Sequence, residues 1–230
     1  MRIDRFMSLH LAINRRDVKL MLAQKRILID GVVADDTLQV IDEFSRIVFD
    51  GQVLQASSPT YIMMNKPVGV VSATKDEQHK TVVDLLEYTE SASLHIVGRL
   101  DLNSSGLLLL TNDSRWSRKL MKPEKKVSKV YRVTVGKPLT EAYISAFYEG
   151  MYFEYEDITT RPARLTIISE QVAEVTLVEG RYHQIKRMFG RFRNPVLALH
   201  RESIGGLLLD PELAPGESRP LKTEEIRQLS

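Results

Sequence analysis

With 230 residues, 43% of them hydrophobic and 27% charged, the chain has the composition of a folded globular protein, long enough for a small module joined to a domain of ordinary size. It contains no cysteine, which excludes disulfides, thiolate zinc sites, iron–sulfur clusters and cysteine nucleophiles together. The net charge of +2 is small but unevenly spread, and the spread is more informative than the sum.

The N-terminus is charged and has no signal-peptide core, and no later segment approaches the ~20 apolar residues of a membrane span, so a cytoplasmic location is expected. Asn14 followed by Asp17 can cap a helix with Val18, Met21 and Leu22 on one face and Arg15, Arg16, Lys19, Lys25 and Arg26 around it. Asp30-Gly31 between β-branched residues signals a tight hairpin, and Asp50-Gly51 repeats the device. The small, polar stretch 55–59 ends in Pro59 and suits a linker, which places the boundary between domains 1–56 and 57–230. Beyond it, strand-like runs at 61–65, 94–97, 107–111, 127–135, 165–168, 172–178 and 196–199 are broken by helical stretches at 82–86, 117–121, 141–148 and 224–229. Strands and helices do not alternate regularly. The expected class is therefore α+β: a small α/β module, then a larger domain with a mixed, mainly antiparallel sheet.

Three segments can carry chemistry. In Gly98-Arg99-Leu100-Asp101-Leu102-Asn103-Ser104-Ser105-Gly106-Leu107, a strand enters a polar turn and a very apolar strand leaves it, so Arg99 and Asp101 lie on a braced loop. An aspartate there can act as nucleophile or general base, or merely cap backbone donors. The basic strand Lys129-Val130-Tyr131-Arg132-Val133 puts Lys129, Tyr131 and Val133 on one face, with Tyr131 either a stacking platform or a half-buried strand tyrosine. Arg181-Tyr182-His183-Gln184-Ile185-Lys186-Arg187 gathers phosphate-binding, stacking and amide groups, while Ile185, Met188 and Phe189 are expected to enter the core. Lys66, in the turn Asn65-Lys66-Pro67-Val68-Gly69, can meet phosphate or water. Basic residues outnumber acidic ones seven to two over 1–29, nine to one over 115–137 and six to none over 181–201, while 141–180 holds two basic and eight acidic residues. Any single block reads as a solvated face; the three together point to a polyanion such as RNA, with Arg2 and Arg5 joining the basic helix in the first block.

Gly98-Arg99-Leu100-Asp101 followed by Gly106-Leu107-Leu108-Leu109-Leu110-Thr111-Asn112-Asp113, then Lys129-Val130-Tyr131, then 180–186, resembles in order and spacing the motifs of pseudouridine synthases. The first module resembles the S4 RNA-binding domain, and 182–189 with 200–206 resembles the branch acting on small-subunit ribosomal RNA. The resemblance covers essentially the whole chain. It implies isomerisation of one uridine of 16S ribosomal RNA, at position 516, without any cofactor or metal, by a monomer whose partner is that RNA or an assembly intermediate. Asp101 would be the nucleophile on a flipped-out uridine, Tyr131 would stack on the base and Lys186 would be the basic partner of the carboxylate. Arg99 would fill the gap left by the base or hold its phosphate, Ile185 would pack beneath, and Arg181, His183, Gln184 and Lys66 would contact substrate. Arg2, Arg5, Arg15, Arg16, Lys19, Lys25 and Arg26 would bind RNA from the S4-like module. Three alternatives stay open: the same reaction on large-subunit or transfer RNA, an inactive RNA-binding protein, and a paired-carboxylate hydrolase, for which no convincing second carboxylate is seen.

Overall fold

The computed structural model describes residues 1–87 and 93–229. The chain forms two compact units, Met1–Pro59 and Thr60–Ser230. In the first, α1 (Ile3–Leu11) and α2 (Arg15–Ala23) precede two hairpins, β1 (Ile27–Ile29) with β2 (Val32–Val33) and β3 (Ile47–Phe49) with β4 (Gln52–Gln55), joined in the order β2-β1-β3-β4. Asn14 caps α2, its side-chain oxygen accepting from the Asp17 N–H at 3.0 Å. Both Asp-Gly pairs turn with two positive φ angles, 53° and 83° at Asp30-Gly31 and 48° and 82° at Asp50-Gly51. That handedness matches the twist of the flanking strands. Helix α1 has no counterpart in the sequence reading. It exists because Ile3 and Met7, one turn apart and fully buried, close a core with Val18, Leu22, Ile27 and Ile47.

The second unit runs β5 (Tyr61–Lys66), β6 (His95–Val97), β7 (Ser105–Thr111), α3 (Ser114–Met121), β8 (Lys129–Val135), α4 (Glu141–Glu149), β9 (Tyr152–Phe153), β10 (Ile158–Thr159), β11 (Arg164–Ser169), β12 (Val172–Leu177), α5 (Gln184–Gly190), β13 (Val196–Ile204), β14 (Leu207–Leu208), β15 (Ser218–Pro220) and α6 (Thr223–Gln228). Among the described residues the main sheet has nine strands in the order β11-β12-β8-β13-β7-β5-β15, with β14 on β13 and β6 on β7. Its pairs are antiparallel except β13 with β7, so the class is α+β as expected. The stretch 82–86 forms only a 3-10 turn, Val83–Leu85. Helix α3 starts three residues before the expected 117, because the Asp113 carboxylate accepts from the Arg115 and Trp116 N–H groups, at 2.9 Å each.

The leucine run is apolar throughout because both faces of the sheet are covered. Leu108 and Leu110 point into a core shared with Tyr143 and Phe147 of α4 and Met188 and Phe189 of α5. Leu107 and Leu109 point into another, shared with Trp116 and Leu120 of α3 and Leu229 just after α6. Burial of each such leucine stabilises the fold by about 1.5–3 kcal/mol.

One edge of β7 is covered by β5 along its length, from Gly106 to Thr111. The other edge forks. Antiparallel β6 covers Leu109–Thr111 and parallel β13 reaches only Ser105 and Gly106. The turn 98–104, which links β6 to β7, lies in that fork.

Candidate active site

Buried polar groups brace this turn from below. Lys66 is fully buried, and its Nζ donates to the carbonyl oxygens of Pro67 at 2.9 Å, Asp101 at 3.1 Å and Ser104 at 2.7 Å. Its expected contact with substrate is therefore corrected: all three ammonium hydrogens are spent on backbone, and no solvent reaches it. Burial pushes its pKa down to about 8, against the raising effect of Asp101 and with the charge of Arg201 adding to the fall. Ser72 Oγ donates to the Leu100 carbonyl at 2.7 Å. Arg201, 1% exposed, spreads its fork over the Leu107 carbonyl (Nε, 2.8 Å) and the Gly98 carbonyl (2nd guanidinium nitrogen, 3.0 Å). The sequence reading missed Arg201. The near-absence of room beside it explains Gly106, where a Cβ would lie 2.3 Å from the Arg201 carbonyl oxygen.

Above the turn lies a cleft of about 550 Å³. Asp101, Tyr131 and Lys186 all line it, together with Arg99, Arg181, His183, Gln184 and Ile185. The Asp101 side chain is one-third exposed, and its Oδ2 lies 3.2 Å from Lys186 Nζ and 3.4 Å from His183 Nε2. Oδ1 has no hydrogen-bond partner among the described residues. Tyr131 is 8% exposed on β8, and Ile185 is buried in the core beneath. Lys129, also buried at the cleft wall, has its pKa lowered by burial and by the neighbouring charge of Arg201. Arg99 and Arg181 are exposed, and the exposed ring of Tyr182 stacks on His183 at 3.8 Å.

Gln184 is a second correction. It borders the cleft, but it is 3% exposed and its amide is spent within the loop, donating to Glu179 at 2.8 Å and accepting from the Arg181 N–H at 3.2 Å. Glu179 also accepts from the Arg161 N–H and the Arg181 side chain, and so ties 179–184 into one piece. His183 takes a left-handed φ of 49° just before α5 begins, which turns its ring toward Asp101.

The cations of the first unit separate into two groups. Arg2 pairs with buried Asp4, and Arg26 pairs with Asp50 while lying over the Phe49 ring. Arg5, Arg15, Arg16, Lys19 and Lys25 are exposed, and Arg2, Arg5 and Arg15 line a concavity of about 360 Å³.

A sheet forked around a braced aspartate turn, opening on a cleft rich in cations and aromatic rings, has the layout of an enzyme acting on a nucleotide. The family model for RNA pseudouridylate synthases matches residues 60–190, and the chain belongs to that family. It is 48% identical over 227 residues to the ribosomal small subunit pseudouridine synthase A of Pseudomonas aeruginosa, covering 98% of this chain and 99% of that one. The protein of the same name from Escherichia coli K12 is 39% identical over 228 residues, with 98% of each chain covered. A crystal structure of a pseudouridylate synthase matches over the whole of both chains, with a TM-score of 0.74 and 35% identity. No helix among the described residues is long and apolar enough to cross a membrane.

Proposed function

We propose that this enzyme converts one uridine of small-subunit ribosomal RNA to pseudouridine in the cytoplasm, with Asp101 as nucleophile. The observation that carries the reading is the state of the Asp101 carboxylate: Lys186 and His183 hold one oxygen, and the other has no partner at the mouth of a cleft sized for one nucleotide. A uridine enters such a cleft only after leaving its stack. A carboxylate oxygen then attacks C6 of the base or C1′ of the ribose, and the N1–C1′ bond breaks. The uracil turns, C5 bonds to C1′, the C5 proton leaves, N1 takes up a proton and the carboxylate is released, so that the product is an isomer of the substrate and no electrons are exchanged.

Tyr131 stacks on the base and assists removal of the C5 proton, while Lys186 orients the nucleophile. Arg99 and Arg181 hold flanking phosphate, a task for which their exposure and charge fit them. The exposed cations Arg118, Lys119, Lys122, Lys125 and Lys126 on α3 and the turn after it add a track for the RNA backbone, and the first unit binds RNA in the manner of an S4 domain. The homologues named for the small subunit support the choice of RNA.

The test is release of tritium from small-subunit RNA labelled at uridine C5. Asp101→Asn should lower it by at least about 10³-fold, the scale on which loss of a nucleophile is felt. Turnover by that variant within tenfold of the parent overturns the assignment. Mapping the product base against position 516 tests the target.

A further inference from the structure

Ser104 lies on the same turn as Asp101, three residues on. Its backbone is fully used, the N–H donating to the Asp101 carbonyl at 3.0 Å and the C=O accepting from Lys66 at 2.7 Å. The residue is 1% exposed and lines the cleft, yet among the described residues Oγ has no hydrogen-bond partner. Among the described residues the one other buried side-chain polar atom in that condition is Trp116 Nε1, which does not line the cleft. Neighbouring serines show what this fold normally does with a hydroxyl: Ser72 Oγ donates to the Leu100 carbonyl at 2.7 Å, and Ser105 Oγ meets His200 Nδ1 at 2.9 Å. A buried hydroxyl left unpaired is costly, and alanine at the same place would carry no such cost.

We infer that the Ser104 hydroxyl is a substrate-binding group, reserved for an oxygen of the target nucleotide beside the bond that Asp101 breaks. The inference rests on the reading of Asp101 as nucleophile. The charge around the site narrows the chemistry. Lys66 and Arg201 are buried under the same turn, so a cation is repelled, while a neutral oxygen that can accept from Oγ is welcome. Three such oxygens adjoin the glycosidic bond: the ribose ring oxygen O4′, bonded to C1′; the 2′-hydroxyl, on the carbon next to C1′; and uracil O2, two bonds from N1. Any of the three would satisfy the orphan hydroxyl only when a flipped nucleotide is seated, which makes the contact a check that the sugar–base junction is correctly placed.

The experiment compares the full-length parent with Ser104→Ala in three measurements: kcat/KM on small-subunit RNA, kcat/KM on the same RNA with 2′-deoxyuridine at the target, and the denaturation midpoint without RNA. We expect kcat/KM on the normal RNA to fall about tenfold to a hundredfold, the effect of losing one hydrogen bond in the reacting complex. The midpoint should be no lower than the parent's, because an unpaired buried hydroxyl has been removed. A loss below fivefold overturns the proposal, and so does a larger loss accompanied by a lowered midpoint. With the deoxy RNA, a penalty that shrinks below twofold assigns the partner to the 2′-hydroxyl, and one that persists assigns it to O4′ or O2. If the deoxy RNA is bound but not turned over, the same ratio is taken from binding constants. Asp101→Asn on the normal RNA separates the two assignments: if it keeps turning over, both fall, and if it is dead, the Ser104→Ala result bears on Ser104 alone.

Discussion

Arg5, Arg15, Arg16, Lys19 and Lys25 of the first unit stand in solvent, whereas Lys66, Lys129 and Arg201 of the second are buried to 9% exposure or less. Each of these residues adds the same unit of positive charge to the sequence, but the two sets have different jobs. The exposed set can neutralise phosphates and release counterions. The buried set donates to backbone carbonyls, at Pro67, Asp101 and Ser104 from Lys66, at Val127 from Lys129, and at Gly98 and Leu107 from Arg201. A count of lysines and arginines therefore overstates the RNA-binding surface and understates the scaffold. Arginine suits its position because the fixed fork of its guanidinium meets the Leu107 carbonyl of β7 and the Gly98 carbonyl of the turn at once.

The largest effect should come from the contact that seats Arg201 against β7. Gly106 has φ +102°, and a Cβ there would lie 2.3 Å from the Arg201 carbonyl oxygen and 2.7 Å from its nitrogen. Gly106→Ala should destabilise the second unit by about 4 kcal/mol or more, through strain and enforced strand separation, as read by chemical denaturation. A loss below about 1 kcal/mol would show that β7 and β13 can part freely. Next in size is Arg201→Met, which leaves the Leu107 and Gly98 carbonyls without their donor; about 3 kcal/mol is expected. If Arg201 served RNA instead, the variant would keep its stability and lose only salt-sensitive affinity.

Lys66 sharpens the same contrast through pH. Its folded pKa of about 8 lies below the ordinary lysine value of 10.5. Between those values the unfolded chain holds a proton that the folded chain gives up. Stability therefore rises with pH through that window, by up to about 1.4 kcal/mol per pH unit, and the burial penalty is present in full below pH 8. The parent should gain stability relative to Lys66→Met from pH 8 to 10.5. A difference that stays flat would mean that Lys66 keeps an ordinary affinity for its proton.

The sequence disclosed what local rules govern. The two Asp-Gly hairpins, the Asn14 cap, the alternation of β8 and the unbroken Leu107–Leu110 run each follow from nearest-neighbour chemistry. Asp101, Tyr131 and Lys186 were singled out by the resemblance of their motifs to pseudouridine synthases, and one cleft collects all three, Asp101 from the turn 98–104, Tyr131 from β8 and Lys186 from α5. Parallel pairing of β13 with β7 was not legible, since Ser105 and His200 meet across 95 residues with no local signal. Arg201 looked like one more basic residue in a basic block for the same reason. The inward turn of Lys66 depends on carbonyls supplied by residues 35 and 38 positions away, which no window around Lys66 contains. Helix α1 was hidden because its charged face dominates a nine-residue segment whose two fully buried residues acquire meaning only against α2.

The smallest effect on stability, and the one that isolates RNA binding, belongs to the first unit. Arg5 and Arg15 line its concavity, and the nearest acid to Arg15, Asp4 at 4.0 Å, is already bound by Arg2. Arg5→Ala with Arg15→Ala should leave the denaturation midpoint unchanged to within about 0.5 kcal/mol, as expected of solvated side chains. RNA affinity should fall, and the slope of log K against log salt should flatten by roughly 0.7–0.9 for each arginine that meets a phosphate. Arg26→Ala is the matched control. Its guanidinium is held by Asp50 and stacked over Phe49, so it should change the slope less than Arg15→Ala does. A larger change in slope from Arg26 than from Arg15 would reverse the division between tightly paired and loosely held cations. The RNA-contacting face would then lie on the β3–β4 side of the module, where Asp50 releases its arginine on binding.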